Sequence, residues 1–332
     1  MPLARPSIPA GAGAPAPVLP PDFEQHRPEL TGLCYRMLGS SFDAEDAVQE
    51  TLIRAWRGFD RFEGRAAVRS WLHRIATNVC LDMLESRSRR ARPMDLGPAG
   101  SAEAPFLDTL PEEAWILPIP DGRALQAPGD PAELVSARET IRLAFVAALQ
   151  RLPPRQRAVL LLREVLSWEA AEVAELLDMS VAAVNSALQR ARATLDAEDA
   201  KAGARPPLND AQQALLTRYM DAFQRLDFDA LVSLLHEDAT WSMPPYRLWL
   251  RGRPSIRSWL GQVGSQCRGS LLLPTAANGT CAIAQYRPSG PDGAFEPWAL
   301  QVVDMSEGRI TGVCSFLYTP KLFPLFGMPL RP

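Results

Sequence analysis

The stretch LPPRQRAVLLLREVLSWEAAEVAELLDMSVAAVNSALQRARATL, residues 152–195, decides the fold of the middle of the chain. Asp178-Met179-Ser180 interrupts its helical pattern, because Asp178 suits a left-handed helix end and Ser180 is a good N-cap for the next helix. Apolar residues recur at helical spacing around this break: Leu160, Leu161, Val165 and Leu166, then Val173, Ala174 and Leu177, then Val181, Val184, Leu188 and Leu195. The pattern predicts a helix-turn-helix, whose last helix normally lies in the major groove of DNA.

Charge is distributed unevenly along the 332 residues, which are enough for two or three domains. The net charge of −3 excludes a protein that coats nucleic acid with a basic surface all round. Residues 54–92 nevertheless contain ten arginines against four acidic residues, whereas residues 93–134 contain eight acidic residues against one arginine. This asymmetry indicates a basic nucleic-acid surface followed by an acidic tether.

The sequence predicts no metal site, no cofactor and no membrane span. Three histidines are too few and too separated for a metal site, and the five cysteines (Cys34, Cys80, Cys267, Cys281 and Cys314) include no CxxC pair. We expect reduced thiols and a cytoplasmic protein. Residues 1–21 lack the continuous apolar core of a signal peptide, so they are interpreted as a disordered extension or a misassigned start codon.

The rest of the chain divides by composition and periodicity. Residues 22–92 and 131–200 have helical periodicity, residues 93–130 form an acidic, proline-rich linker, and residues 201–207 form a short hinge. Residues 208–332 predict an α+β domain with a curved antiparallel sheet.

The predicted elements of this last block are two helices and five strands. The helices cover residues 210–226 and 231–235, and the strands cover residues 239–243, 270–275, 280–286, 298–305 and 310–318. Asn278-Gly279 and Glu307-Gly308 predict tight turns between strands.

The first helical block resembles region two of the extracytoplasmic-function sigma factors of the sigma-70 family. The resemblance rests on SFDAEDAVQETLIRAWRGFDRFEGRAAVRSWLHRIATNVCLDMLESRSRRAR, residues 41–92. The stretch LPPRQRAVLLLREVLSWEAAEVAELLDMS, residues 152–180, resembles region four of the same family. Together they imply a multidomain fold with two all-α domains, a region 2 helical bundle and a region 4 helix-turn-helix. The implied function is that of an alternative sigma factor, which binds core RNA polymerase and directs promoter-specific initiation. A dimeric helix-turn-helix repressor would leave residues 41–92 unexplained.

The resemblance also implies polymerase contacts. Asp46, Gln49 and Glu50 match the segment that docks on the clamp helices of the largest polymerase subunit, and region four would contact the polymerase flap. Asp43 is better explained by its favourable interaction with the helix dipole.

The helix from residue 66 to residue 92 matches the promoter-opening element. Opening needs cations for phosphates and polar groups for flipped bases. The DNA-binding residues predicted there are Arg65, Arg69, His73, Arg74, Asn78, Arg87, Arg89 and Arg90, with Arg92 extending the positive track. Trp71 has the spacing of a core residue.

The recognition helix provides a second set of predicted DNA contacts. Ser180, Ala183, Asn185, Ser186, Gln189 and Arg190 are expected to face outward, and Arg155, Arg157, Arg190 and Arg192 are expected to contact phosphates. Many family members have V-K-S-R-L where residues 184–188 read VNSAL. We therefore expect isolated region four to bind DNA weakly.

Two interpretations of the linker stay open. One is a solvated spacer that threads the polymerase cleft. The other is that Trp115 and its apolar neighbours attach to a folded domain. The apolar, proline-rich tail at residues 318–329 is expected to pack on its own domain or on the sigma regions.

The C-terminal block resembles SnoaL-like domains, through residues 209–245 and 252–256 and the strand pattern. Such cones enclose a pocket, and candidate pocket residues are Asp238, Trp241, Met243, Tyr246, Trp249, Gln285, Trp298 and Asp304. Most of these aromatic residues are also ordinary core residues, and no acid–base pair is evident. We therefore expect a regulatory domain rather than an enzyme, acting with or without a separate anti-sigma factor. The alternative is a small-molecule enzyme or ligand sensor.

Overall fold

The computed structural model describes residues 21–62, 67–85, 89–103, 108–125, 131–199, 210–317 and 320–332. The predicted hinge and, apart from Pro21, the predicted disordered extension lie outside these residues. No helix among the described residues is long and apolar enough to cross a membrane. In the same part of the chain, no cluster of three or more His, Cys, Asp or Glu side chains is placed to hold a metal ion.

Residues 21–85, the N-terminal bundle, fold as helices α1 Pro21–Glu24, α2 Arg27–Leu38, α3 Ser41–Gly58 and α4 Val68–Glu85. The break between α2 and α3 has a local cause. Gly39 ends α2 in the left-handed conformation with φ 72°, and the Ser40 hydroxyl accepts a hydrogen bond from the Asp43 N–H at 3.3 Å. The apolar residues of these helices pack inward, and Leu33, Val48 and Leu72 are each at most 2% exposed.

Residues 131–199, the HTH domain, fold as α7 Pro131–Glu139, α8 Leu143–Gln150, α9 Pro154–Leu160, α10 Ala170–Leu177 and α11 Val181–Asp199, while the linker contributes the short helices α5 Pro93–Leu96 and α6 Asp121–Ala124. Residues 161–165 extend α9 by a π-helical turn. Asp178 ends α10 in the left-handed conformation, φ 51°, and the Ser180 hydroxyl accepts a hydrogen bond from the Ala183 N–H at 3.1 Å. The predicted helix-turn-helix and both of its end signals are confirmed.

Residues 210–332, the C-terminal domain, contain α12 Asp210–Gln224, α13 Phe228–Ser233, α14 Arg253–Val263 and α15 Leu322–Leu325. Its strands are β1 Leu235–Ser242, β2 Trp249–Arg251, β3 Leu271–Ala277, β4 Thr280–Arg287, β5 Glu296–Ser306 and β6 Arg309–Leu317. They form one sheet in the order β2-β1-β6-β5-β4-β3, in which β1 and β6 pair in parallel. The predicted α+β class is confirmed, but the prediction of an antiparallel sheet is wrong for this pair. The alternation of apolar and polar residues shows which face of a strand is buried. It does not show whether the strand runs parallel or antiparallel to its neighbour.

Local signals explain where the elements of this domain begin and turn. The Asp227 carboxylate accepts a hydrogen bond from the Ala230 N–H at 2.9 Å, so α13 begins earlier than predicted and Leu235 already belongs to β1. Strand β2 and helix α14 were not predicted. Both predicted turns are confirmed: Asn278-Gly279 and Glu307-Gly308 have positive φ at both residues and connect β3 to β4 and β5 to β6.

The sheet of the C-terminal domain contributes to two cores. Ala282 and Ala284 of β4 belong to a core that includes the N-terminal bundle, the linker and the HTH domain. Cys281 and Ile283, on the opposite face of the same strand, pack in a second core with α12 and α14. Successive side chains of β4 point to opposite faces of the sheet, so this strand packs in both cores and joins the C-terminal domain to the helical domains.

Residues 115–119 of the predicted linker are packed between the domains, whereas residues 96–101 are exposed to solvent. Trp115, Ile116, Leu117 and Ile119 are each at most 2% exposed. Backbone hydrogen bonds join Ala91 to Ala114 and Leu117 to Gly39, at 2.8 and 3.0 Å. Of the two interpretations left open by the sequence, attachment of Trp115 to folded domains is the one found here.

The C-terminal tail also packs inward. Leu322 and Phe323 are fully buried, and the Phe323 ring meets the Tyr286 ring edge-on, with 5.0 Å between centroids. The Lys321 ammonium lies 4.6 Å from the centre of the Phe42 ring in α3 and pairs with Glu112 of the linker. The tail thus contacts both its own domain and the N-terminal bundle. The part of that prediction that falls on residues 318 and 319 lies outside the described residues.

Candidate polymerase and promoter interfaces

One surface of α3, the α3 outer face, consists of Asp46, Gln49, Glu50, Ile53 and Trp56. Their spacing of three or four residues places them along one side of the helix. Ile53 and Trp56 are 41% and 46% exposed, which is unusual for large apolar side chains. The three residues predicted to dock on polymerase therefore lie beside two exposed apolar groups. The sequence predicted the three polar residues of this surface and not Ile53 or Trp56, because helical spacing alone does not show which apolar residues stay exposed.

Asp43 and Arg90 are buried and pair with each other at 2.7 Å. The Arg90 guanidinium also donates to the backbone oxygens of Glu112 and Trp115, at 3.0 and 2.7 Å. The predicted phosphate contact of Arg90 does not fit this placement, and Asp43 has a structural partner beyond the helix dipole. Sequence spacing could not reveal a pair separated by 47 residues.

Most of the predicted promoter-opening residues on α4 interact with other residues of the protein. Arg69 pairs with Glu29 of α2 at 2.7 Å, and Arg74 pairs with Glu175 of α10 at 2.8 Å. Asn78 is exposed.

His73, predicted to contact DNA, is buried instead. Its Nδ1 lies 2.7 Å from the Arg69 carbonyl oxygen, and burial lowers the pKa of its imidazole. Arg89 is exposed, whereas Arg92 pairs with Asp95 at 3.1 Å. Arg65 and Arg87 lie outside the described residues. Trp71 is half-buried and packs in an aromatic cluster with Phe62, 4.8 Å between ring centres, against the core and not within it.

The recognition helix α11 presents its predicted polar groups to solvent. Asn185, Ser186, Gln189 and Arg190 are exposed, and Ala183 is half-buried. The Ser180 hydroxyl caps the helix, as described above. The Arg192 guanidinium pairs with Glu164.

Arg155 and Arg157, both predicted to contact phosphates, differ sharply. Arg155 is exposed and lies 3.4 Å from the Leu177 carbonyl oxygen. Arg157 is buried and donates to the Leu149 carbonyl oxygen at 2.8 Å, the Gln150 side-chain oxygen at 2.7 Å and the Met37 carbonyl oxygen of α2. Burial lowers its pKa to about 10, so it stays charged at neutral pH. Arg157 therefore joins the HTH domain to the N-terminal bundle, and its predicted phosphate contact does not fit this structure.

Asn278 lies where all parts of the protein meet, and we call Asn278, Tyr35, Ile119 and Ile141 the Asn278 junction. Asn278 is fully buried at the β3–β4 turn. Its side-chain NH2 donates to the Tyr35 hydroxyl and to the Ile141 carbonyl oxygen, both at 2.6 Å. Its side-chain oxygen accepts from the Ile119 N–H at 3.1 Å, and its own N–H donates to the Ile119 carbonyl oxygen.

Contacts around the junction strengthen it. The Tyr35 hydroxyl donates to the Leu117 carbonyl oxygen at 2.9 Å, and the Asp121 carboxylate accepts from the Gly279 N–H at 2.8 Å. Burial raises the pKa of the Asp121 carboxyl and of the Tyr35 hydroxyl. One turn of the C-terminal domain thus contacts the N-terminal bundle, the linker and the start of the HTH domain.

The C-terminal domain also encloses a cavity of about 160 Å³. Six of its lining residues are aromatic: Phe223, Phe228, Trp241, Tyr246, Trp259 and Trp298. A chain of buried polar groups forms part of the wall. The Tyr219 hydroxyl donates to the Gln301 side-chain oxygen at 2.8 Å, and the Gln301 NH2 donates to the Gln285 side-chain oxygen at 2.8 Å. Arg287, also in the lining, stacks 4.1 Å from the centre of the Trp298 ring.

The structure places the predicted pocket residues in two groups. Trp241, Met243, Tyr246, Gln285 and Trp298 line the cavity. The remaining three lie elsewhere. Asp238 is exposed on β1, Trp249 donates to the Gly97 carbonyl oxygen at 3.0 Å, and Asp304 faces Arg142 of the HTH domain at 3.3 Å.

The described lining of the cavity contains no carboxylate. Burial raises the pKa of the lining thiol Cys267, so that thiol is neutral at pH 7. The sequence analysis missed Gln301 and Arg287, although both lie on strands that it predicted or directly beside one. Their contacts depend on the register between β4 and β5, which no local pattern specifies.

Comparison with known proteins gives these surfaces a context. Family profiles match Sigma-70 region 2 at residues 23–90, Sigma-70 region 4 at residues 142–195 and a SnoaL-like domain at residues 216–313. The chain is 46% identical over 313 residues to ECF RNA polymerase sigma factor SigG of Mycobacterium tuberculosis, which covers 92% of this chain and 82% of the relative.

The chain belongs to the ECF RNA polymerase sigma factors. It therefore acts as an alternative sigma factor in promoter-specific transcription initiation with core RNA polymerase.

Another relative supports the arrangement of this sigma factor as a whole. ECF RNA polymerase sigma factor SigJ of Mycobacterium tuberculosis is 34% identical over 221 residues, 67% of this chain and 63% of the relative. The crystal structure of the Mycobacterium tuberculosis extracytoplasmic function sigma factor SigJ matches with a TM-score of 0.59 and 25% identity, covering 93% of this chain and 99% of that one. The N-terminal bundle of this sigma factor is region 2, and its HTH domain contains region 4.

Proposed function

We propose that the arrangement described here is a closed form of this sigma factor. The linker and the C-terminal domain hold regions 2 and 4 together and keep the chain from productive contact with core polymerase until the Asn278 junction opens. The observation that carries this proposal is the burial of linker residues 115–119 between three domains. A linker that is buried in this way is not free to thread the polymerase cleft, as the family resemblance implies it must.

The α3 outer face is the proposed polymerase contact. Its polar residues match the family's docking segment, and the exposed Ile53 and Trp56 provide apolar area that a partner can bury. We assign Asp46, Gln49 and Glu50 to the clamp helices of the largest subunit, and region 4 to the flap. This surface is exposed in the closed form, so initial docking does not require opening.

The proposed promoter contacts divide between two helices. Asn185, Ser186, Gln189 and Arg190 on α11 would read duplex DNA, with Arg155 and Arg192 at phosphates. Arg69, Arg74, Asn78 and Arg89 would act in promoter opening. Because Arg69 and Arg74 are paired within the protein, opening of the promoter would require their release.

We propose that the C-terminal domain is not an enzyme. A carboxylate in an apolar cavity is the acid–base group on which such chemistry depends, and the described lining has none. The proposed site of action is the cytoplasm, where polymerase and promoter DNA are found. A separate anti-sigma factor stays a prediction.

Reconstituted transcription with core polymerase tests the closed form. We expect Asn278→Ala to increase the amount of transcript from a promoter of this sigma factor, because the side chain that bridges three domains is removed. Glu307→Ala is the matched control, since Glu307 occupies the equivalent position of the neighbouring β5–β6 turn, with φ 50° against 55°. Equal transcript from wild type and Asn278→Ala, at equal folded protein, would contradict the proposal.

Docking is tested separately by binding to core polymerase. We expect Trp56→Ala to weaken binding, and Trp249→Ala, which alters a partly buried tryptophan in the C-terminal domain, to leave it unchanged. Loss of binding in both variants would show that the α3 outer face has no special role.

A further inference from the structure

The cavity of the C-terminal domain combines a charged group, a stacking surface and buried hydrogen-bonding groups. Arg287 is the charged group. It is half-buried and forms no ion pair among the described residues. Its cross-strand partner on β5 is Glu296, whose carboxylate accepts a hydrogen bond from the Ser289 hydroxyl at 2.9 Å. Most buried or half-buried arginines in the described part of the chain pair with an acidic group or donate to several oxygens, as Arg90 and Arg142 do. An arginine that faces a cavity and has no ion-pair partner in the chain can bind an anionic ligand there.

The aromatic lining restricts the shape of what can enter. Trp298 is already stacked on one side by the Arg287 guanidinium, and Trp241 and Trp259 contribute further flat surfaces. A cavity of about 160 Å³ is similar to one of roughly 150 Å³ that is known to hold a benzene ring. A planar ring therefore fits better than a branched or extended aliphatic group.

The polar wall adds a second point of recognition. Gln301 is buried and fixed at both ends, because its oxygen accepts from Tyr219 and its NH2 donates to Gln285. An NH2 group has two hydrogens, and the Gln301 bonds within the chain use one of them. The Ser315 hydroxyl, which lies opposite Gln301 across the β5–β6 ladder, also lines the cavity. Fixed donors of this kind suit an oxygen atom of a ligand.

We propose that this cavity binds a small planar aromatic carboxylate without transforming it. The ring would lie among the tryptophans, and the carboxylate would face Arg287. The amide of Gln301 and the hydroxyl of Ser315 would bind an oxygen substituent of the ring. The proposal does not depend on the closed form, because it concerns binding to a site within one domain.

The cavity is connected to the rest of the protein through the strands that line it. Gln285 and Arg287 lie on β4, and the same strand begins two residues after Asn278. Gln301 lies on β5, three residues before Asp304, which faces Arg142 of the HTH domain. Two strands that line the cavity therefore also contact the helical domains.

Direct binding measurements on the full chain test the proposal. The probes are 3-hydroxybenzoate and 4-hydroxybenzoate, which carry a ring oxygen, and benzoate, which lacks it, each beside its neutral amide, with cyclohexanecarboxylate as a non-planar acid. Ligand-detected NMR and tryptophan fluorescence give the dissociation constants. We expect at least one aromatic acid to bind with a Kd on the order of 1 mM or tighter, and its amide to bind about tenfold or more weakly.

A variant pair locates the site. Arg287→Gln keeps a polar side chain and removes the charge, so it should weaken binding of the acid to the level of the amide. Arg225→Gln is the matched control, because Arg225 is exposed on the same domain and pairs with Asp221 away from the cavity. Thermal unfolding of both variants checks that the domain stays folded.

Three results would overturn the proposal. One is the absence of saturable binding of every acid up to about 10 mM, given that fragments of this size reach millimolar affinity. The second is equal binding of the acids and their amides. The third is equal loss in Arg287→Gln and Arg225→Gln, since binding would then take place elsewhere.

Discussion

Helices α4 and α11 are both assigned to DNA, yet the closed form treats them differently. On α4, Arg69 and Arg74 are paired with Glu29 and Glu175, and His73 is buried. On α11, the polar residues predicted to read base edges are exposed to solvent. In the proposed closed form, the two arginines of the helix proposed for promoter opening are therefore paired within the protein although they reach solvent, whereas the base-reading side chains of the other helix face solvent.

Removal of Arg157 should have the largest effect, because this buried side chain joins region 4 to region 2. We expect Arg157→Leu to lower the free energy of unfolding by about 3–5 kcal/mol, since several buried carbonyl oxygens lose their donor at once. Urea unfolding of the full chain measures this. Arg155→Leu, two residues away and exposed, should change stability by about 0.5 kcal/mol or less. Similar losses in the two variants would mean that Arg157 has no special role between the regions.

Changes on α11 should affect sequence preference and not stability. We expect Gln189→Ala to reduce discrimination at one base pair of the duplex promoter element by about 1–3 kcal/mol. Transcription from a promoter library by the reconstituted holoenzyme measures this preference. Gln213→Ala, an exposed glutamine on α12, is the control. An unchanged preference in Gln189→Ala would remove α11 from base reading.

The contribution of α4 to stability should depend on pH, because α4 contains His73. The contribution of α11 should not, because α11 contains no histidine. Burial lowers the pKa of His73, so the folded protein binds this proton less readily than the unfolded chain, whose value is 6.5. Stability contributed by the neutral imidazole is present above pH 6.5 and is lost as the pH falls below it. We expect the thermal unfolding temperature of wild type to fall more steeply below pH 6.5 than that of His73→Gln. Parallel pH profiles would contradict this.

The surface pair between α4 and α10 should contribute least. Arg74 and Glu175 are both largely exposed, so their attraction is weakened by solvent and salt. We expect Glu175→Gln to leave the thermal unfolding temperature unchanged while it frees Arg74. A clear destabilisation would indicate that this pair, and not the buried contacts, holds α4 in the closed form.

Local signals in the sequence were sufficient for the helix-turn-helix and the hairpin turns. Asp178, Ser180 and Asn278-Gly279 each act through their own backbone or a neighbour three residues away, so the chain around them predicts their role. The parallel pairing of β1 and β6 depends on residues some seventy positions apart. The alternation of apolar and polar residues within each strand does not predict which strands pair. Strand β2 was missed for a different reason, because three residues are too few for an alternating pattern to be recognised.

The same difference between local signals and long-range contacts applies to the functional surfaces. Family resemblance pointed to the α3 segment and to α11, where most of the predicted residues are exposed and Glu50 and Ala183 are half-buried. It did not distinguish Arg90 and Arg157 from arginines on the surface, because charged residues are rarely buried and their partners lie far along the chain. Trp115 illustrates the intermediate case. Its apolar neighbours showed that it needed a partner, and only the fold showed which one.

The Asn278 junction has a consequence for the order of events during synthesis. Tyr35 and Asn278, which form one of its hydrogen bonds, are 243 residues apart in the chain. At about 5–20 residues per second, the ribosome completes the turn that carries Asn278 roughly 12–50 s after Tyr35. Regions 2 and 4 emerge before the domain that closes them. The proposed restraint on productive polymerase contact is therefore added last during synthesis, so the rate of translation would set how many molecules engage polymerase before closure.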